Sequence, residues 1–155
     1  MARRARSPSL TPLGVLLAAA AACTPGPRPL ALGTDQCAHC HMTLADPRFA
    51  GQLVTRTGRV IPFDDVGCLA TFVATGGVAP AEIHSLWVND FARPDSMLEV
   101  TDAVFLRTDS LRTPMDYGLA ALRPGPTADS VRLRLGGKLI SWDAVMLRVR
   151  IRPAP

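Results

Sequence analysis

Six consecutive residues, Cys37 to Met42 (CAHCHM), bring two thiols, two imidazoles and a thioether together. The whole chain of 155 residues has only four cysteines, three histidines and five methionines, so this clustering is improbable by chance. Thiolate, thioether and imidazole are donors that soft and borderline metal ions prefer, and a Cys-x-x-Cys pair can also carry out redox chemistry. The hexapeptide therefore predicts a metal or redox site.

Three interpretations of this segment compete with copper binding. A disulfide between Cys37 and Cys40 would suit an exported protein, but so short a ring stabilises little and leaves the histidines and the methionine unexplained. The segment also matches the CxxCH motif of c-type haem attachment, with His41 as an axial ligand. A closed zinc site usually needs a second paired element, whereas Cys68 and His84 are single and widely separated.

Cu(I) fits the set of donors best. This ion prefers thiolate and thioether ligands, tolerates imidazole and needs only two or three ligands, so a shallow site can hold and release it. Met115 is the best-placed remote methionine, because it lies in a turn-like TPM sequence and turns present side chains outward. The candidate copper ligands are Cys37, Cys40, His41, Met42 and Met115.

The first 22 residues have the pattern of an export signal. Arg3, Arg4 and Arg6 precede a ten-residue apolar run, Leu13 to Ala22, that ends in small residues. As a helix this run rises only about 15 Å, half of a bilayer core, so it does not span a membrane. Cys23 follows directly and resembles the lipidated cysteine of bacterial lipoproteins; an ordinary signal peptide cut at the same place is the alternative.

The export pattern divides the chain into a signal peptide at 1–22, a lipidated Cys23 with a Pro/Gly-rich linker at 23–35, and a folded domain at 36–152. The predicted location is the outer face of a membrane, toward the periplasm or the cell exterior. Three of the 17 basic residues lie in the leader, which leaves 14 against 13 acidic residues. Because the folded part has almost no basic excess and aromatics are only 5%, nucleic-acid binding is not expected.

Hydrophobic periodicity and turn residues predict an α+β fold. The expected elements are a β-hairpin at 48–63 turning at Thr57-Gly58, a helix capped by Asp64-Asp65 and ended by Gly76-Gly77, strands at 85–90 and 103–108, a turn and short helix at 113–122, a helix or strand at 127–135, a strand at 138–142, and a helix at 143–149 capped by Asp143. Cys68 lies on the apolar face of the first helix and is interpreted as a buried, inert thiol. Asp64 and Asp65 are interpreted as capping residues rather than ligands.

Three segments, in this order, resemble the NosL family of copper-binding accessory lipoproteins of nitrous oxide reductase maturation. They are CAHCHM at 37–42, FDDVGCLATF at 63–72 and TPMDYGLAAL at 113–122. The family patterns are C-x-x-C-G-M, F-D-D-x-x-C-L-x-x-[FY] and T-P-M-G-x-G. The departures are His41 where the family usually has glycine, and Asp116 after TPM.

The resemblance implies a small α+β domain of two ββα-type lobes with short antiparallel sheets. It implies a non-enzymatic carrier that hands Cu(I) toward the copper centre of nitrous oxide reductase, with a membrane ABC-type complex as a partner and the bilayer as an anchor. By position, Cys40 and Met42 match the copper-binding CxM element and Met115 matches the TPM methionine. Cys37 matches the first cysteine of the motif, with a role as a ligand or in tuning Cys40. Covalent haem on CxxCH, in an electron-transfer protein, stays open as the alternative.

Overall fold

A computed structural model of the chain describes residues 24–151. The predicted signal peptide, Cys23 and the last residues lie outside this range. The regular elements are β1 (Gly51–Thr55), β2 (Val60–Phe63), α1 (Val66–Ala74), β3 (Ile83–Asp90), β4 (Arg93–Glu99), β5 (Val104–Arg107), β6 (Leu119–Leu122), α2 (Pro126–Leu135), β7 (Lys138–Ile140) and α3 (Trp142–Ile151). The strands form two antiparallel sheets with the orders β2-β1-β3-β4 and β6-β5-β7. The α+β prediction with short antiparallel sheets is confirmed.

The hairpin of β1 and β2 forms where the alternating pattern predicted it. Gly58, with φ of +82°, makes the tight turn that a side chain would strain. Leu53 pairs with Ile61 across the hairpin, and both side chains are buried on the core face. β1 also pairs with β3, which makes it a central strand, and all five of its residues are buried.

Helix α1 follows the hairpin and begins directly after Asp65. The Asp65 carboxylate accepts a hydrogen bond from the Gly67 amide at 2.7 Å, so this residue is the N-cap. Cys68 and Leu69 are fully buried on the face that packs against the sheet. Of the two aspartates predicted to cap the helix, Asp65 is therefore the one that does so.

One main core joins the two sheets. Leu53 of β1, Leu69 of α1, Phe105 of β5 and Val145 of α3 all belong to it. The rings of Phe105 and Trp142 lie 5.5 Å apart, which fastens α3 to the smaller sheet. α2 covers the other side of that sheet through a second small cluster. Among residues 24–151 no helix is both long and apolar enough to cross a membrane.

Two strands differ from the prediction. β4 was not anticipated, because Pro94 and Asp95 have low strand propensity; it forms because an edge strand tolerates proline, and it pairs with β3 only. The short helix predicted within 113–122 is wrong, since Leu119–Leu122 is strand β6. All four of its residues are buried, so its sequence lacks the alternation that marks a half-exposed strand.

The C-terminal elements also differ in detail. The ambiguous segment is helix α2, with Pro126 at its first turn. Trp142, predicted as the end of a strand, instead begins α3. Ser141, and not Asp143, caps that helix, because the Ser141 hydroxyl accepts a hydrogen bond from the Ala144 amide at 3.3 Å.

The second half of the predicted linker contacts the domain. The Arg28 amide donates to the Gln52 side chain at 3.0 Å, and the Gln52 amide group donates back to the Arg28 carbonyl at 2.7 Å. The Arg28 guanidinium also forms a two-pronged ion pair with Asp35, at 2.8 and 2.7 Å. Gln52 is fully buried in β1, so the chain is held to the larger sheet from Arg28 onward.

Two leucine-to-alanine changes test where this core lies. Leu69 on α1 is fully buried, whereas Leu133 on α2 has 74% of its surface exposed. We expect Leu69→Ala to lower the free energy of unfolding by about 2–5 kcal/mol, because it leaves a cavity. Leu133→Ala, the matched control, should change it by no more than about 0.5 kcal/mol. Urea denaturation measures both, and equal effects would contradict the assigned burial.

Candidate metal centre

The CAHCHM segment forms a tight loop against the end of the hairpin. The Cys37 amide donates to the Met42 carbonyl at 2.8 Å, and the His41 amide donates to the Cys37 carbonyl at 3.0 Å. His41 closes the loop in the left-handed region, with φ of +63°. The Ala38 amide donates to the Pro62 carbonyl of β2 at 3.0 Å. These bonds direct both cysteines of the loop toward the start of α1.

Three thiols and one carboxylate meet there. The Sγ atoms of Cys37, Cys40 and Cys68 and a carboxylate oxygen of Asp64 all lie within 4.8 Å of one another. We call these four residues the thiol cluster. Cys37, Cys68 and Asp64 are buried, while Cys40 is half-buried. The Cys40 thiol lies 3.3 and 3.4 Å from the two Asp64 oxygens, so it donates to the carboxylate.

The three thiols have different acidities because their surroundings differ. A hydrogen bond donated by Cys68 lowers the pKa of Cys37 to about 7. The same hydrogen bond, together with burial, raises the pKa of Cys68, which keeps its proton. Burial raises the pKa of Cys40 to about 12, and the neighbouring Cys37 adds to this. Near neutral pH the cluster thus holds a partly formed thiolate at Cys37 beside two protonated thiols.

The other three predicted ligands, His41, Met42 and Met115, differ in how far they are buried. Met42 has 47% of its side-chain surface exposed, and His41 is exposed as well. Met115 is half-buried and packs against the same core as Cys40. Its amide donates to Asp65, the residue that follows Asp64 of the cluster, at 3.2 Å. The structure thus brings Cys37 and Cys40 together and leaves His41 and Met42 at the surface.

Sequence reasoning missed two members of the cluster. Cys68 is buried as predicted, but it contacts Cys37 and is not isolated from the site. Asp64 faces Cys40, whereas its neighbour Asp65 caps the helix. The available signal was the four-residue spacing of Asp64 and Cys68, which puts them on one side of a helix start.

The arrangement suits a soft metal ion. Two or three thiolates satisfy Cu(I), and the half-exposed Cys40 gives the ion access from solvent. Covalent haem would require a porphyrin vinyl group at each cysteine of the pair. Cys37 is fully buried in the main core, whereas a thioether bond to haem needs the cysteine to reach the porphyrin edge. The geometry therefore favours a bound ion over attached haem.

Loop, hairpin and helix together define a small α+β domain with a thiol-rich candidate metal site. The sequence profile of the NosL family matches residues 30–149, and the chain belongs to this family. The crystal structure of the copper chaperone NosL from Shewanella denitrificans is similar in fold, with a TM-score of 0.64 and 21% identity. That match covers 77% of this chain and 96% of the other. No protein of curated function matches the sequence significantly.

The acidity of Cys37 can be measured by its thiolate ultraviolet absorbance. In reduced, metal-free protein with Cys23 replaced by serine, we expect one thiolate to form near pH 7, and this step to be missing in Cys37→Ala. Cys68→Ala removes the hydrogen-bond donor, so the step should move up toward about 8.5, the ordinary value for cysteine. A wild-type titration with no step below pH 8 would contradict the assignment.

Proposed function

We propose that this protein is a carrier of Cu(I) rather than an enzyme, and that it takes up and releases the ion at the thiol cluster. The observation that supports this most directly is the half-exposed Cys40, with two further thiols immediately behind it, in a NosL-family domain. The structurally similar protein from Shewanella denitrificans is a copper chaperone, which is consistent with the same cargo.

The donors fall into an outer and an inner group. The inner group is the pair of buried thiols, Cys37 and Cys68. Cys40 belongs to both groups, since its thiol is half-buried and lies with these two. Met42 and Met115 are the outer thioether candidates, and His41 is a nearby imidazole at the surface. A thioether is a neutral donor, so it holds Cu(I) less tightly than an anionic thiolate does. An outer site of Cys40 and methionines is therefore suited to transfer.

Copper binding at Cys40 must displace the thiol proton. Burial raises the pKa of this thiol to about 12, so the free protein keeps the proton near neutral pH. Binding therefore releases a proton, and apparent affinity should rise with pH. Release would proceed by ligand exchange: a partner thioether or imidazole joins the low-coordinate ion before Cys40 or a methionine leaves.

The place of action and the acceptor extend this proposal. The leader supports export, and Cys23 supports a lipid anchor on the outer side of a membrane. The family resemblance supports nitrous oxide reductase as the copper acceptor and a membrane ABC-type complex as a further partner. In this scheme the protein is a membrane-anchored copper chaperone of denitrification, facing the periplasm or the cell exterior.

Cu(I) titration of the reduced protein tests the cargo. In competition with a chelator we expect one ion per chain, and Cys40→Ala should weaken binding by at least about 100-fold, because it removes the thiolate common to both donor groups. Met42→Leu and Met115→Leu should each weaken binding less. Met97→Leu is the matched control, since Met97 lies on β4 among different neighbours. Unchanged affinity in Cys40→Ala would refute the site.

Complementation tests the acceptor and the anchor. In a nitrous-oxide-reducing host that lacks its own NosL-family protein, wild-type chain should restore copper to the reductase and Cys40→Ala should not. Cys23→Ser should appear in the soluble periplasmic fraction, because its lipid is lost. If the reductase receives as much copper with the Cys40→Ala variant as with the wild-type chain, this protein does not supply that enzyme, whatever its affinity for Cu(I).

A further inference from the structure

The segment that carries Met115 has a fixed shape. We call residues 113–118 the methionine loop. Its Asp116 amide donates to the Thr113 carbonyl at 3.0 Å, and Asp116 and Gly118 lie in the left-handed region, with φ of +55° and +63°. A side chain at Gly118 would also meet the Thr108 carbonyl. The loop therefore needs outside contacts to hold an unfavourable backbone in place.

Asp65 supplies one of these contacts. One of its carboxylate oxygens accepts from the Gly67 amide at 2.7 Å, which caps α1. The other oxygen accepts from the Met115 amide at 3.2 Å. Asp65 is fully buried, so both bonds are shielded from water. A single carboxylate thus joins the helix start to the residue proposed as a copper ligand.

Tyr117 supplies the second contact. Its ring lies directly over the backbone of Gly67, at a distance where any Cβ on residue 67 would overlap the ring. The Tyr117 hydroxyl shares a hydrogen bond of 2.8 Å with the Thr71 hydroxyl, one turn further along α1. Because the crowding involves Cγ at the base of the ring, rotation of the ring about its Cβ–Cγ bond does not relieve it. Glycine at position 67 is what lets the loop approach α1 so closely.

The same helical turn also holds half of the thiol cluster. Asp64 precedes Asp65, and Cys68 follows Gly67. Tyr117, Met115 and Cys40 all pack against the main core, to which Cys37 and Cys68 belong. The first turn of α1 therefore fixes the methionine loop and the thiol cluster relative to each other.

We propose that Asp65, Gly67 and Tyr117 are positioning residues, which hold Met115 beside the thiol cluster so that its thioether completes the copper site. This inference rests on the proposed function, because it assigns a purpose to the loop only if Cu(I) binds there. It differs from a purely structural role in one respect: replacing these residues should weaken Cu(I) binding only because Met115 is displaced.

The test compares Cu(I) affinity and sulfur ligand number between wild-type protein and four variants. We expect Gly67→Ala to weaken Cu(I) binding by about 10- to 100-fold, as partners behind a metal ligand commonly do. X-ray absorption should count one sulfur fewer around the ion, as in Met115→Leu. The double variant should bind no more weakly than Met115→Leu alone, since the ligand is already absent. Gly26→Ala is the matched control: its added Cβ meets no atom within 4 Å, so it should keep the wild-type affinity and sulfur count.

Asp65→Asn is the second variant, for the case that Gly67→Ala folds poorly. Asparagine caps helices as well as aspartate does. Its NH2 group, however, would replace the second carboxylate oxygen and cannot accept a hydrogen bond from the Met115 backbone N–H. We expect faster hydrogen exchange at the Met115 amide, unchanged exchange within α1, and the same loss of one sulfur ligand.

The outcomes separate the two proposals. Wild-type protein that binds no Cu(I) overturns the proposed function and this inference with it. Wild-type protein that binds Cu(I) with Met115 as a ligand, while Gly67→Ala and Asp65→Asn retain its sulfur count, overturns only the inference. Additive losses in the Gly67→Ala, Met115→Leu double variant would likewise contradict it.

Discussion

The buried carboxylate of Asp65 is the constraint on which the site depends. A charged group without water is costly unless hydrogen bonds satisfy it, and burial indeed raises the pKa of this carboxyl. The amides of Gly67 and Met115 offset that cost from two different parts of the chain. Because these donors come from opposite sides, the carboxylate determines where α1 starts and where the methionine loop rests.

Two members of the thiol cluster lie beside that helix start. The two residues on either side of the capped turn, Asp64 and Cys68, lie on the side that meets the CAHCHM loop. The loop in turn is attached to β2 through the Ala38 amide and the Pro62 carbonyl. The thiol cluster is thus assembled from two segments far apart in sequence, the CAHCHM loop and the start of α1, and hydrogen bonds hold each in place. Such support leaves little conformational entropy to be lost when a ligand binds.

Local patterns predicted the parts of this structure that local forces decide. The hairpin turning at Gly58 and the helix capped by Asp65 follow from turn and cap chemistry, and both are confirmed. Strands β4 and β6 escaped prediction because pairing and burial, rather than propensity, make them strands. The thiol cluster shows the same contrast between local and long-range signals. The CxxC pair is evident in the sequence, whereas Cys68 joins the cluster through a contact with Cys37, 31 residues away. The family resemblance identified the segments but not which of their side chains meet.

The attachment of Arg28 to Gln52 limits how far the domain could stand from a lipid anchor at Cys23, if the proposed lipidation takes place. Only five residue steps separate Cys23 from Arg28, a reach of about 17 Å even when fully extended. A lipid on Cys23 would therefore keep this domain close to the lipid head groups. Under the proposed function, a copper acceptor would then have to meet the domain at the membrane surface.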